Sequence, residues 1–229
     1  MTIMTTRQRF DFILRYFSEH MPEPEPELHY GSPFELLVAV MLSAQCTDKR
    51  VNLVTPALFA AYPTAESMAQ ASVEDILAFI RSVSYPNAKA QHLSTMSKQL
   101  VADFGGQVPD SVEALTTLTG VGRKTANVVC AVLWNQPAMA VDTHIFRVAE
   151  RIGLTTNSKN PLQTEQQLVK FIPAELIPKA HHWLLLHGRY VCTARQPRCL
   201  ATTPDASPVT PNACPLTPAC RFFAQQQSH

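Results

Sequence analysis

Glycine is scarce in this sequence, and that scarcity makes its few glycines informative. The chain has 229 residues and only seven glycines, yet Gly120 and Gly122 stand one residue apart. Glycine is the usual residue where the backbone needs a positive φ or must pass close to another group. We therefore expect a specialised turn at residues 120–122.

Long apolar runs are missing as well. The two longest, residues 36–42 and 128–134, have seven residues each, far fewer than the ~20 that a membrane-spanning helix needs. The N-terminal segment MTIMTTRQRF also lacks the apolar region of a signal peptide. These absences predict a cytoplasmic protein. In that reducing compartment, grouped cysteines bind metal more often than they form disulfides.

The net charge is only +1, so overall charge gives no argument for a nucleic-acid partner. Basic residues are nevertheless grouped, because the segment 179–204 contains Lys179, Arg189, Arg195 and Arg198 and no acidic residue. Acidic residues crowd instead into a PEPEPE run near the N-terminus. An anionic partner is therefore expected to bind locally and not across the whole surface.

Helix signals recur along the chain, and no alternating strand pattern is present. The fold class is therefore predicted to be all-α, with about ten helices. Ser32 as N-cap, Pro33 at the first helical position and Glu35 three residues after the cap predict a capping box. The segment 89–104 is long and amphipathic, and a later helix is expected to end at Gly153. Further residues suited to start helices are Thr47, Thr64 and Ser72.

The segment GVGRKTA (120–126) has the glycines of a phosphate-binding loop but not the residue order of a P-loop, because Arg123 separates Gly122 from Lys124. Residues 110–118 before it carry apolar positions at a spacing of three, which predicts a short helix and not a strand. The pattern is that of two helices joined by a tight hairpin whose backbone N–H groups can bind a phosphate. The alternative is a tight turn without a ligand.

Two side chains near this hairpin can carry chemistry. Lys124 lies in the first turn of the second helix, and a neutral lysine amine is a nucleophile that forms Schiff bases. Asp142 directly precedes the helical segment THIFRVAERIG and is its natural N-cap. Each residue also has an ordinary explanation, because a lone lysine is more often a solvated surface charge and an aspartate here can be only a cap.

The segment LTGVGRKTANVVCAVLWNQPAMAVDTHIFRV (118–148) closely resembles the core motif of the endonuclease III family, the bifunctional DNA glycosylases and abasic-site lyases of the helix-hairpin-helix superfamily. The resemblance continues through residues 36–52, 84–93 and 180–199 and the final cysteines, so it covers nearly the whole chain. One departure is Thr119, where the family usually has proline before the hairpin.

The resemblance implies a fold of two domains. One would be a six-helix barrel at residues 27–136, containing the helix-hairpin-helix at about 111–134. The other would be a discontinuous helical domain formed by residues 1–26 and 137–229, with a cysteine cluster in the loop 192–220.

The resemblance also implies the reaction. An oxidised pyrimidine inside duplex DNA must be flipped out before it can be excised. In the family, the lysine at the position of Lys124 attacks the sugar C1′, the aspartate at the position of Asp142 assists, and β-elimination through the Schiff base nicks the strand 3′ of the abasic site. Gln45 has the position that fills the vacated stack, and Tyr85 the position that wedges the opposite strand. The hairpin residues expected to bind DNA are Gly120, Val121, Gly122 and Arg123.

Four cysteines near the C-terminus form the pattern C-x6-C-x14-C-x5-C at Cys192, Cys199, Cys214 and Cys220. Four thiolates suit either a 4Fe-4S cluster or a structural zinc, and the resemblance implies the 4Fe-4S cluster. The family spacing is C-x6-C-x2-C-x5-C, so an apparent insertion of twelve residues, ATTPDASPVTPN, separates the second and third cysteines.

The remaining basic and cysteine residues have simpler expectations. Arg195 and Arg198, inside the first cysteine interval, are expected to contact DNA phosphates, with a solvated basic loop as the alternative. Cys46 and Cys130 lie in apolar helical surroundings and are expected to be buried packing residues. No metal is assigned to the histidines His181, His182 and His187.

Two other functions fit part of the pattern. An adenine-mismatch glycosylase of the same superfamily shares the hairpin, the aspartate and the cluster, but those monofunctional enzymes lack a lysine at the position of Lys124. A non-catalytic DNA-binding module would use the hairpin and a structural metal without cutting DNA. The expected partner of the enzyme is damaged double-stranded DNA, bound by a monomer in the cytoplasm and associated with the nucleoid.

Overall fold

The computed structural model of the chain describes residues 4–200 and 214–227. The insertion predicted between Cys199 and Cys214 lies outside the described residues. Within them the chain forms twelve α-helices and three short 3₁₀ turns and contains no β-strand, which confirms the all-α prediction. The helices are α1 (Thr6–His20), α2 (Pro33–Ser43), α3 (Asp48–Ala61), α4 (Ala65–Gln70), α5 (Val73–Ile80), α6 (Pro86–Phe104), α7 (Val112–Leu115), α8 (Arg123–Trp134), α9 (Thr143–Ile152), α10 (Pro161–Val169), α11 (Ile177–Tyr190) and α12 (Arg221–Gln226), with 3₁₀ turns at Ala174–Leu176, Arg198–Leu200 and Thr217–Ala219.

The chain divides into two compact units. One is continuous, Pro26–Ala138, and the other combines both chain ends, Met1–Glu25 with Met139–His229. Each unit has its own hydrophobic core. Across the described part of the chain, no helix combines the length and the apolar character needed to cross a bilayer.

Helix α2 is the centre of the continuous unit. Its residues Leu36 to Leu42 are all buried, so the helix is apolar on every side and requires neighbours all round. It packs against α3, α6 and α8. Because α2 cannot move without disturbing this core, the residues at its C-terminal end are held by a rigid support.

The N-terminal ends of the helices follow the sequence signals, with one difference at α2. Ser32 Oγ accepts the N–H of Glu35 at 3.2 Å, as predicted. The Glu35 carboxylate, however, accepts the N–H of Gly31 at 2.6 Å instead of the N–H of Ser32, so the reciprocal half of the predicted capping box is wrong. The residues Thr47, Thr64 and Ser72 are confirmed as N-caps.

Helix α6 begins one turn earlier than the segment 89–104 predicts. Pro86 occupies its first turn, where the missing N–H costs nothing. The residue before it, Tyr85, adopts a left-handed conformation with φ of 55°, which turns the chain sharply into the helix. The helix ends at Gly105, a second left-handed position.

The hairpin lies between α7 and α8. Its turn is closed by the N–H of Val121, which donates to the carbonyl of Leu118 at 3.1 Å. The side chains of Leu118 and Val121 are both buried in the core of the unit. The hairpin is therefore anchored from inside, and its glycines are left at the surface side of the turn.

The two hairpin glycines have different conformations. Gly120 has a φ of +80°, and a Cβ there would lie 2.9 Å from Cβ of His92, so both the backbone and the space require glycine. Gly122 has a φ of −87°, and a Cβ there would meet nothing within 4 Å. The expectation of a glycine-dependent turn is confirmed at Gly120, whereas nothing within the protein requires glycine at Gly122.

Thr119 has a structural role that proline could not perform. Its N–H donates to Oε1 of Gln99 on α6 at 2.7 Å, and Nε2 of the same amide lies 3.5 Å from the carbonyl of Thr117. Proline has no N–H to donate. This chain therefore fixes the entry to its hairpin with a side-chain amide from α6.

The second unit is built around α9 and α11, which pack against each other. Asp142 caps α9, and Gly153 ends it in a left-handed conformation, as predicted. Trp183 of α11 is fully buried, stacks on Phe17 of α1 with 5.7 Å between ring centroids, and donates its Nε1–H to the carbonyl of Met21. These contacts join the N-terminal helix to the C-terminal part of the chain.

We expect Gly120→Ala to lower the free energy of unfolding by about 1–3 kcal/mol, since it combines a positive φ with a clash against His92. Gly122→Ala should cost less, because its only penalty is the weaker N-cap. Urea unfolding of both variants measures the difference. Equal losses would contradict the assigned turn geometry.

Candidate functional site

The hairpin presents the start of α8 to solvent. Gly122 is the N-cap residue and provides no side chain to accept the N–H groups of the first turn, which by helix geometry have no intrahelical acceptor. Gly122, Arg123 and Lys124 are all exposed. Aligned peptide dipoles add partial positive charge at this end, so the site suits an anion such as a phosphate.

Not every hairpin residue offers its backbone to a ligand. The N–H of Val121 is engaged by the carbonyl of Leu118, and its side chain is 5% exposed. Val121 therefore holds the turn against the core. The accessible part of the hairpin is Gly120 and the segment from Gly122 onward.

Lys124 extends from the first turn of α8 at an exposed position. Its backbone therefore belongs to the same first turn that forms the anion site. A phosphodiester bound at the first-turn N–H groups would bring a sugar within reach of such a side chain, which is the arrangement that nucleophilic attack requires.

Asp142 is held by the helix that it caps. Its Oδ1 accepts the N–H groups of His144 at 2.9 Å and Ile145 at 2.8 Å. The same oxygen accepts both capping hydrogen bonds, so Oδ2 takes no part in capping the helix. The carboxylate is half-buried and fixed in orientation by α9, and this confirms its predicted place as N-cap.

Gln45 and Tyr85 share an unusual feature. Gln45, which follows the end of α2, has a φ of 54°, and Tyr85 has a φ of 55°. Both side chains are exposed, that of Tyr85 to 65%. Asn135 and Asn157 also have a positive φ, but asparagine tolerates this conformation. At a glutamine or a tyrosine it costs about 1–3 kcal/mol, and such strained residues cluster at functional sites.

A cavity of about 250 Å³ lies in the continuous unit and is lined by both of these residues. Gly120 of the hairpin and His92 of α6 lie on it as well, and its floor includes the buried side chain of Lys89. The cavity therefore connects the residues predicted to enter the DNA stack with the hairpin predicted to hold the phosphate.

The four C-terminal cysteines belong to one region of the second unit. Cys192 follows α11, Cys199 lies in a 3₁₀ turn, and Cys220 is the N-cap of α12. Cys192, Cys214 and Cys220 are buried, and Cys199 is half-buried. Burial raises the pKa of Cys214 to about 12, and the neighbouring Cys199, Cys220 and Cys192 act in the same direction. The four thiols therefore share one environment.

The chemistry of these four side chains limits which metal groups they fit. Four thiolates are the donor set of either a structural zinc or a 4Fe-4S cluster. Among residues 4–200 and 214–227, no three His, Cys, Asp or Glu side chains are gathered closely enough to hold a metal ion as they stand. By donor type, the cysteine set agrees with both groups.

Two arginines of α9 hold the loop between the first two cysteines. Arg151 donates to the carbonyls of Thr193 at 2.7 Å and Ala194 at 2.9 Å, and its Nη1 lies 3.6 Å from Sγ of Cys192. Arg147 donates through Nε to the carbonyl of Cys192 at 3.1 Å. The loop is thus fixed from α9.

The predicted phosphate contacts Arg195 and Arg198 lie on this fixed loop, and both are exposed. The N–H of Arg198 closes the loop by donating to the carbonyl of Val191 at 3.0 Å. The loop therefore keeps its backbone ordered while it presents two cationic side chains to solvent.

The expectation for Cys46 is wrong in part. Cys46 lies in the segment between α2 and α3, outside any helix, and is half-buried, because the helix has already ended at Ser43. Cys130 is fully buried within α8 as expected, and burial raises its pKa to about 11. Neither residue belongs to the C-terminal set.

His187 lies beside the cysteines, a contact that the sequence did not predict. Its Nε2 is 3.7 Å from Sγ of Cys214. Burial lowers the pKa of His187 to about 4, and Arg198 acts in the same direction, so the imidazole is neutral near pH 7. This neutral ring can donate to or accept from a sulfur without adding charge to the cysteine region.

Three supporting cations, Lys89, Arg147 and Arg151, were also not predicted. The sequence nevertheless contains a pattern that indicates each of these three roles. Lys89 continues the apolar stripe of Leu93, Met96 and Leu100 on the buried face of α6, where a lysine needs acceptors. The two arginines stand four residues apart on α9 and hence share a face.

Comparison with known proteins gives a consistent result. Residues 38–174 match the family model described as HhH-GPD superfamily base excision DNA repair protein. Endonuclease III of Rickettsia conorii is 47% identical over 187 residues, covering 82% of this chain and 89% of that protein. Endonuclease III of Escherichia coli K12 is 44% identical over 196 residues, covering 86% of this chain and 92% of that protein.

A solved structure of a trapped endonuclease III–DNA covalent intermediate, an estranged-adenine complex, matches with a TM-score of 0.86 and 38% identity, covering 98% of this chain and 100% of that one. Members of the endonuclease III family typically bind a 4Fe-4S cluster. By this identity over most of its length, the chain belongs to the endonuclease III family of the HhH-GPD superfamily, whose members are base excision repair DNA glycosylases with abasic-site lyase activity.

Proposed function

We propose that this chain flips oxidised pyrimidines out of duplex DNA, excises them, and nicks the abasic site 3′ by β-elimination through a Schiff base on Lys124. The observation that carries the proposal is the exposed amine of Lys124 on the first turn of α8, directly after an uncapped hairpin. The relative solved as a covalent intermediate with DNA supports the covalent route.

The hairpin holds the DNA backbone in this proposal. A phosphate accepts the first-turn N–H groups of α8, to which Gly122 allows access because it has no side chain. Gly120 and Val121 shape and anchor the turn, and Arg123 adds positive charge at its edge. Backbone N–H groups do not distinguish one base sequence from another, which suits an enzyme that must act wherever damage occurs.

Lys124 then performs the covalent chemistry. Its amine attacks C1′ of the flipped nucleotide as the bond from C1′ to the damaged base breaks, and the leaving base is protonated. Nitrogen then loses a proton and the C1′–O4′ bond breaks with protonation of O4′, which opens the sugar ring and gives the imine. The imine makes the C2′ proton acidic, and loss of this proton expels the 3′ phosphate. Hydrolysis of the imine releases Lys124 and leaves a nicked strand.

Asp142 supports the charge that develops in these steps. The capping bonds to His144 and Ile145 fix the carboxylate, so that it can stabilise positive charge on the sugar without reorganising. It also helps to transfer protons during base loss and elimination.

Flipping leaves a gap in the duplex that must be filled. Gln45 enters the vacated stack, and Tyr85 wedges the opposite strand. Their exposed side chains are carried on strained, fixed backbone, which supports these roles. Insertion of side chains between bases offsets the few kcal/mol that unstacking costs.

The cysteines Cys192, Cys199, Cys214 and Cys220 hold a 4Fe-4S cluster in this proposal. When bound, the cluster supplies cross-links among these thiolates and thereby orders the loop. Arg151 and Arg147 fix the same loop from α9, and Arg195 and Arg198 contact DNA phosphates from it. The monomer binds its duplex through this loop and the hairpin together.

Lys124→Gln should abolish the covalent adduct that borohydride traps on a thymine glycol or abasic-site duplex, with a loss of at least about 10³-fold in strand nicking. The control is Lys98→Gln, at another exposed lysine. Adduct formation at the wild-type level by Lys124→Gln would refute the assignment of the nucleophile. If only mismatched adenine is released, the adenine-mismatch reading is correct instead.

Asp142→Asn should separate catalysis from folding. Asparagine caps helices as well as aspartate does, so the free energy of unfolding should change by less than about 0.5 kcal/mol. Loss of the charged carboxylate should slow base excision by about 10²–10⁴-fold. Single-turnover excision and thermal unfolding measure the two effects. An active variant would leave Asp142 with only its capping role.

Gly122→Ser should weaken DNA binding without weakening the fold. Serine is a good N-cap, so its hydroxyl would accept a first-turn N–H of α8 and leave stability equal or up to about 1 kcal/mol higher. The same hydroxyl competes with a phosphate for those N–H groups, and affinity for an abasic-site duplex should fall at least about tenfold. Unchanged affinity would contradict phosphate binding at this turn.

Protein purified anaerobically should contain iron, and Cys214→Ser should lower both its iron content and its thermal stability, because metal binding is coupled to the order of its ligands. Cys46→Ser, outside the ligand set, serves as the control. A colourless, iron-free wild-type protein would contradict the cluster, and one zinc per chain would identify the structural-zinc alternative.

A further inference from the structure

The end of α2 is held by a buried lysine. Lys89 of α6 is 8% exposed, and its ammonium donates to the carbonyl of Leu42 at 2.8 Å and to that of Ala44 at 2.7 Å. The last carbonyls of a helix lack intrahelical donors, and they carry the negative end of its dipole. The ammonium therefore satisfies these acceptors and is in turn satisfied by them.

One of these bonds determines the backbone of Gln45. The carbonyl of Ala44 belongs to the peptide plane that precedes Gln45, so its direction sets φ of Gln45. On the other side, Oγ of Ser84 donates to the carbonyl of Gln45 at 2.7 Å, and this plane sets ψ. Two side-chain donors thus fix both dihedral angles of a residue whose φ is 54°.

Both donors come from the segment that carries Tyr85. Ser84 directly precedes Tyr85, and Lys89 follows one helical turn later, with its own N–H donating to the carbonyl of Tyr85 at 3.1 Å. Gln45 and Tyr85 are therefore coupled through Lys89 and Ser84. They line the same cavity, and each depends on the same short segment, residues 84–89, for its conformation.

The cost of burying Lys89 indicates that the position is not an ordinary surface lysine. Burial lowers the pKa of Lys89, while the nearby Cys46 acts in the opposite direction. A lysine is rarely this buried without strong partners, and two carbonyls at hydrogen-bond distance are such partners. Lys89 is also one of the residues that line the cavity.

We infer that Lys89 is a positioning residue for base flipping, which holds Gln45 in its strained conformation beside Tyr85 before DNA binds. The inference rests on the proposed function, since it assumes that Gln45 fills the vacated stack. The backbone of Gln45 is already held in the conformation for insertion, so it loses no freedom when the base leaves the stack. More of the DNA-binding energy is therefore available for flipping.

Lys89→Met tests this role, because methionine keeps the unbranched stem and removes the ammonium. Excision of thymine glycol from a duplex should slow by about tenfold or more. Lyase cleavage of an abasic site in single-stranded DNA, which has no gap to fill, should stay within about twofold of wild type. A 2-aminopurine beside the lesion should report less unstacking. Lys98→Met, an exposed lysine on the same helix, is the matched control.

A double-mutant cycle with Gln45→Ala distinguishes positioning from general stability. If Lys89 acts through Gln45, the double variant should be no slower than the slower single variant. Ser84→Ala provides a milder test of the same peptide unit, and it applies even if Lys89→Met fails to fold. Lys89→Arg should keep part of the duplex activity that Lys89→Met loses.

Multiplicative effects in the cycle would overturn the inference, as would equal losses on the duplex and single-stranded substrates. A Lys89→Met variant that excises thymine glycol as fast as Lys98→Met would also overturn the inference. The proposed function would still stand in that case, as long as the wild-type protein excises the base. If wild type excises no damaged base from a duplex, the proposed function fails and the inference fails with it.

Discussion

The functional part of this molecule depends on one buried turn, in which Val121 donates its N–H to the carbonyl of Leu118 while both side chains enter the core. This turn fixes the direction in which α8 begins. Because the anchoring lies on the inner side, the outer side of the turn carries no side chain at Gly122 and leaves the helix end open. The position of Lys124 follows from that direction, so a packing interaction determines where the proposed nucleophile lies.

The N-terminal ends of the helices show how first-turn backbone N–H groups contribute to stability in one place and to ligand binding in another. In the described part of the chain, α1 to α5, α7, α9 and α10 each have a side chain that accepts an N–H at the N-cap. At α6, α8, α11 and α12 no side chain does so. Three of these four begin at residues assigned to the site: α6 after Tyr85, α8 after Gly122 and α12 after Cys220. At α8 the first turn is left open for a ligand, whereas at α9 the proposed catalytic residue Asp142 is itself the cap.

Much of this arrangement can be predicted from local sequence, and the remainder depends on contacts between distant residues. The N-caps at Thr47, Thr64 and Asp142 could be predicted because a cap involves neighbours within three positions. The bond from Gln99 to Thr119 and the partners of Lys89 could not, since they join segments that only folding brings together. Cys46 illustrates the same limit: its apolar neighbours predict burial, but the helix ends before it. The two glycines of the hairpin look alike in sequence. Only the structure shows that the backbone and the neighbouring side chain require glycine at Gly120, whereas Gly122 has open space beside it.

The strain at Gln45 and Tyr85 has to be supported by the rest of the continuous unit. Two left-handed residues cost roughly 2–6 kcal/mol together, a large share of the stability of an ordinary domain. That cost falls on the free protein, and the hydrogen bonds from Lys89 and Ser84 keep the strained form populated. If the backbone at Gln45 were free instead, ordering it would cost about 1–2 kcal/mol at the moment of flipping, when the lost base stacking must also be offset. The apolar core around α2 stabilises the unit enough to offset the cost of the strained backbone. The energy of DNA binding is therefore available for opening the duplex.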